Sequence, residues 1–105
     1  MSIGITSATL VDASSDATGT ATVTDPSNFH VHRFWVTFTA AASVQVQASN
    51  DGSTFVDLLS SAVTTTGSIS EVDRPWKNLR VSWTGNTGDL TINVEQIYSN
   101  PLGAV

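Results

Sequence analysis

An all-β sandwich follows from three features of the chain. Apolar and polar residues alternate with period two in run after run, turn residues separate the runs, and no window keeps a helical period for long. The 105 residues fit a single domain, large enough to bury roughly two-thirds of its unfolded surface. Strands are expected at 5–12, 18–24, 30–39, 43–49, 54–59, 67–72, 77–84 and 89–98. About eight short antiparallel strands of this kind make a jelly-roll-like sandwich, here one domain over 1–98 followed by an extended tail over 99–105 that contains Pro101 and Gly103.

The N-terminal third is built from Thr, Ala, Ser and Gly, with Leu10, Val11 and Val23 as its bulky apolar residues between Thr6 and Asp25. It is expected to add little core and to be a candidate for pairing with a neighbouring subunit. Asp25-Pro26-Ser27-Asn28 then makes a turn, because the Asp side chain bonds nearby backbone and the proline ring fixes φ.

Parity assigns the faces of the next strands. In HVHRFWVTFT the even positions Phe34, Val36 and Phe38 form an apolar row opposite Arg33, Trp35, Thr37 and Thr39. Val44, Val46 and Ala48 oppose Gln45 and Gln47. Asn50-Asp51-Gly52 tolerates left-handed backbone and joins this strand to one carrying Phe55. Arg74-Pro75 interrupts pairing, since proline donates no ladder hydrogen bond. Beyond it Leu79, Val81 and Trp83 oppose Trp76, Asn78, Arg80 and Ser82. Gly85-Asn86-Thr87-Gly88 turns the chain into the last strand, where Leu90, Ile92, Val94 and Tyr98 oppose Thr91, Asn93 and Glu95. Four strands with one apolar face each can pack as two sheets about a common core.

Composition narrows the function. Four basic residues against nine acidic ones give a net charge of −5, which disfavours a phosphate-gripping protein, so no nucleic acid partner is expected. No apolar run reaches the twenty or so residues of a membrane span, and the start lacks the basic and apolar regions of a signal peptide. A soluble, unexported protein with no membrane partner is the expectation. The chain has no cysteine, which excludes disulfides and thiolate metal sites. Charged residues make up only 12% of it, against ~25% for an average domain, which suggests surface covered by partners.

Candidate chemistry is sparse. His30 and His32 stand two apart on one strand, a spacing that can hold a metal, but they share parity with Phe34 and Val36, and no third ligand is identifiable. They are expected on the core margin, their polar tips bonded to backbone. Asn50 and Asp51 offer too few oxygens for calcium. No nucleophile elbow, cysteine nucleophile or placed carboxylate pair points to catalysis, so neither an enzyme nor a cofactor is expected. Arg74 beside Asp73 and Glu71 suggests a solvated ion pair. Trp35, Trp76, Arg33 and Arg80 lie opposite the core rows of two strands. They suit a protein interface, a platform on which a sugar stacks, or burial within the monomer.

The stretch VQVQASNDGSTFVDL, Val44 to Leu58, resembles a hairpin of discoidin-like and galactose-binding-like jelly rolls, and RPWKNLRVSW, Arg74 to Trp83, resembles the strand that follows in them. The chain lacks the terminal cysteines of those domains and has Phe55 where tryptophan is more usual, so no ligand residue is carried over. In a short chain rich in Ser and Thr the same pair is also similar to small β-sandwich virion proteins of tailed bacteriophages, above all capsid decoration (cement) proteins. That resemblance implies a structural role on the outer capsid surface, after synthesis in the host cytoplasm. The major capsid protein would be the partner, and self-association a homotrimer at local three-fold positions. The alternatives are a saccharide-binding or host-recognition module of a phage fibre, or a neck or tail subunit.

Overall fold

The computed structural model describes residues 2–100, with side chains over 4–98. Its strands are β1 (Ser2–Ser14), β2 (Gly19–Thr22), β3 (Val31–Phe38), β4 (Ser43–Ser49), β5 (Val56–Asp57), β6 (Ser68–Asp73), β7 (Asn78–Thr84) and β8 (Leu90–Asn100). They form two four-stranded sheets, ordered β1-β8-β3-β6 and β2-β7-β4-β5. The nested antiparallel pairs β1–β8, β2–β7, β3–β6 and β4–β5 describe a long hairpin wrapped on itself, which is the jelly roll. β8 stays paired with β1 as far as Asn100; positions 101–105 of the expected tail lie outside the described residues.

Each apolar row enters one core. Phe34, Val36 and Phe38 of β3 and Leu90, Ile92 and Val94 of β8 face Val44, Val46 and Ala48 of β4 and Leu79, Val81 and Trp83 of β7, all buried. The N-terminal third contributes more than its composition suggests, because Val11 and Val23 are also buried in this core.

Two glycines let aromatic rings lie flat across a neighbouring strand. Gly4 pairs with Tyr98 and Gly19 with Trp83, and a Cβ at either position would collide with the ring beside it. The indole of Trp83 also donates to the Asp16 carbonyl at 3.0 Å. The turn at 85–88 does more than reverse the chain. Asn86 is buried and its amide donates to the carbonyls of Ser14 and Asp16 at 2.9 and 3.0 Å, clasping the β1–β2 connection.

The strand expected at 54–59 shrinks to the two residues of β5 because side chains take over backbone roles. The Asp51 carboxylate accepts from the Ser53 and Thr54 amides, both at 2.8 Å, and holds them in the turn. Further along, the Gln45 amide group accepts from the Leu59 N–H at 2.9 Å and donates to the Leu59 carbonyl at 3.3 Å, standing in for a ladder residue.

Candidate interaction surface

The outer face of the first sheet carries the residues of odd parity. Cross-strand register sets them in rows: Ile5, Ile97, Val31 and Asp73; then Ser7, Glu95, Arg33 and Glu71; then Thr9, Asn93, Trp35 and Ile69. The middle row is a charge belt. Arg33 donates from Nε and Nη2 to Glu71 Oε2, both at 3.0 Å, and from Nη1 to Glu95 Oε1 at 3.2 Å. The expected Glu71–Arg74 association is therefore replaced, because strand pairing puts Arg33 directly between the two glutamates. Pairs this open to solvent contribute little stability on their own.

Apolar groups stand open on both sides of that belt. Trp35 is 42% exposed, Ile69 52% and Ile5 60%. Trp35 borders a shallow groove with Ser7, Thr9, Thr37 and Asn93. Large apolar groups left uncovered in one place are a mark of an interaction site. Ile69 and Ile97 were not singled out in the sequence, although each follows the outward parity of Glu71 or Glu95.

Trp76 and Arg80 belong elsewhere, so the four expected interface residues do not form one surface. Arg80 lies on β7 of the second sheet, where its guanidinium stacks 3.7 Å from the Phe55 ring centroid and donates to Gln47 at 2.9 Å. Trp76 is half-buried against the core, and its indole N–H donates to the Asp73 carbonyl at 3.0 Å. The Arg74 guanidinium lies 5.9 Å from the Trp76 ring, and Arg74 has a left-handed φ of 100°. These contacts within the monomer absorb both side chains, an outcome parity could not reveal because it says nothing about neighbouring loops.

The turn Ser49-Asn50-Asp51-Gly52-Ser53-Thr54 is largely satisfied internally. Ser49 Oγ donates to Asp51 Oδ1 at 2.8 Å and accepts from the Gly52 amide at 2.9 Å, with Gly52 at a φ of 79°. The Thr54 and Ser53 amides, with the Ser49 hydroxyl, hold the Asp51 carboxyl down to a pKa of about 2. This turn and Trp76 bound a cleft on the second sheet, with Ala48 and Val56 as its apolar lining.

The two histidines part company. His30 precedes β3 and is exposed, whereas His32 is fully buried at the end of the β3 core row. Its Nδ1 lies 3.5 Å from the Gln96 amide nitrogen, which also donates to the Thr24 carbonyl at 2.9 Å. Taking Gln96 as donor puts the ring proton on Nε2, which has no hydrogen-bond partner. Burial lowers the His32 pKa from 6.5, while the nearby carbonyls of Arg74, Pro26 and Phe29 oppose the shift. The Phe29 ring closes this end of the core, edge-on to His32 at 6.4 Å and to Tyr98 at 5.8 Å. Among the described residues no three His, Cys, Asp or Glu side chains are placed to share a metal ion.

No family model matches the chain, and no curated protein matches it. Among solved structures, it is similar to the SPBc2 prophage-derived protein YomS, with a TM-score of 0.75 and 14% identity over 92% of this chain and 96% of that one. A looser likeness, with a TM-score of 0.47 and 13% identity, joins 93% of this chain to 88% of a protein from Bacillus endospore appendages, described as a novel family of disulfide-linked pili. The first likeness shows that the sandwich is a shared fold along nearly the whole chain.

Proposed function

We propose that this chain is a non-enzymatic structural protein of a phage particle, and within that class a capsid decoration protein. It binds the outer shell as a homo-oligomer, the trimer implied by its resemblance to cement proteins, after synthesis in the host cytoplasm. The observation that carries the reading is the outer face of the first sheet, where Trp35 and Ile69 stand uncovered beside the Arg33 belt. The fold shared with a prophage-derived protein supports it.

Trp35 is the natural anchor, since a large aromatic entering a partner's pocket contributes most where water is excluded around it. Glu71, Glu95 and Asp73 outnumber Arg33 on this face, which suits a major capsid protein that presents basic side chains around an apolar pocket. Binding only to the assembled shell shifts the balance against disassembly by mass action. A reconstruction of the particle tests this. The chain should occupy the outer shell with the Trp35 face turned inward, and its absence from the particle would refute the assignment.

The cleft between the 49–54 turn and Trp76 favours a second reading, saccharide binding in a fibre or host-recognition device. It joins an aromatic ring to hydrogen-bonding groups of Ser49, Asn50 and Asp51. A glycan array read by tryptophan quenching separates the two readings, since a decoration protein should bind no saccharide. A neck or tail subunit would differ from a decoration protein only in where the reconstruction places it.

A further inference from the structure

The two sheets end in four edge strands, β1, β6, β2 and β5, and three of them are blunted. β2 has four residues and β5 only two. β6 carries Glu71 and Asp73 and is followed by Arg74, whose φ is 100°, and by Pro75. Short length, charge and proline are the devices by which sheets discourage edge pairing. β1 has none of them over most of its length. It runs for 13 residues, holds no charged residue before Asp12 and contains no proline. It pairs with β8 in unbroken register from Ser2 to Thr9, with irregularities only beyond that point. Residues 5–9 are exposed, and among the described residues no strand lies on their far side.

We propose that the outer edge of β1 is where one copy of this chain joins another, by antiparallel strand addition. The proposal rests on the structural reading above and gives the copies a two-fold contact in place of the trimer implied there. Charge favours a second copy as the occupant. With a net charge of −5, two copies repel over most approaches, and an uncharged edge is where they can meet. Order favours it too. An edge strand in a folded copy is already extended, whereas a flexible peptide would lose about 1–2 kcal/mol of backbone entropy for each residue it fixes. Pairing satisfies the free N–H and C=O groups of β1 and brings the neighbouring strand beside exposed Ile5.

Sedimentation velocity and amide hydrogen exchange on the free protein test the proposal. The wild type should sediment as a dimer, because each β1 has one free edge and an antiparallel pair closes on a two-fold axis, with the amides of residues 5–9 protected on both edges of the strand. The double variant Ile5→Lys/Ser7→Lys places charge on the outward positions of β1. It should fall about two-fold in mass, lose protection at alternate amides and keep the wild-type circular dichroism. Trp35→Ala, on the same face but away from the edge, should leave the oligomer intact. A monomeric wild type, or an oligomer with unprotected amides at 5–9, overturns edge pairing even if the double variant fails to fold. A monomer that still decorates particles would overturn edge pairing and leave the structural function standing.

Discussion

Mild acid, between pH 7.5 and 5.5, should destabilise this protein through His32. In the unfolded chain the imidazole titrates near its ordinary value of 6.5, and burial lowers that value in the fold. Between the two values the unfolded state binds a proton that the folded state excludes, so stability rises with pH across this window. The contribution is fully present above the unfolded value and is lost as pH falls toward the folded one. Linkage caps the slope at about 1.4 kcal/mol per pH unit, which limits the loss between pH 7.5 and 5.5 to about 1.4 kcal/mol. Urea unfolding followed by tryptophan fluorescence at those two values, for wild type and His32→Leu, isolates the effect. The variant removes the titrating group together with the unpartnered Nε2. It should match or exceed the wild type at pH 7.5 and lose less stability on acidification. Equal pH dependence in the two proteins would refute the account of His32 as a buried neutral ring.

Other perturbations test the remaining framework. Asn86→Ala removes both bonds to the β1–β2 connection and should cost about 1–3 kcal/mol in denaturant unfolding. Gly19→Ala drives a methyl group into the Trp83 ring and should cost about 1–3 kcal/mol, with an altered tryptophan emission maximum. Asp51→Ala frees the Ser53 and Thr54 amides; their hydrogen exchange should quicken while the main unfolding transition barely moves.

Much of the fold was legible because strand parity is a local property. The rows of β3, β4, β7 and β8 could be read directly, since alternate side chains must face opposite sides whatever the rest of the chain does. Sheet order is not local. Parity put Trp35 and Trp76 alike on outward rows, yet the wrapping of the jelly roll sends β3 to one sheet and β7 to the other, and loop contacts then absorb Trp76. The same limit hid the polar end of the core. His32 pairs in register with Gln96 across β3 and β8, a meeting of residues that only the sheet register brings about. Asn86 and Gln45 escaped notice for a related reason: their side chains act as backbone partners for distant segments, and composition carries no sign of it.

The central claim is that the Trp35 face binds the particle while contributing little to folding. Trp35→Ala should melt within a few degrees of the wild type, because the ring is 42% exposed on an outer face and surface changes of this kind typically cost about 0.5 kcal/mol or less. In cosedimentation with particles assembled without this chain, the wild type should pellet with them and Trp35→Ala should remain in the supernatant. A variant that unfolds, or one that pellets as fully as the wild type, would contradict the account.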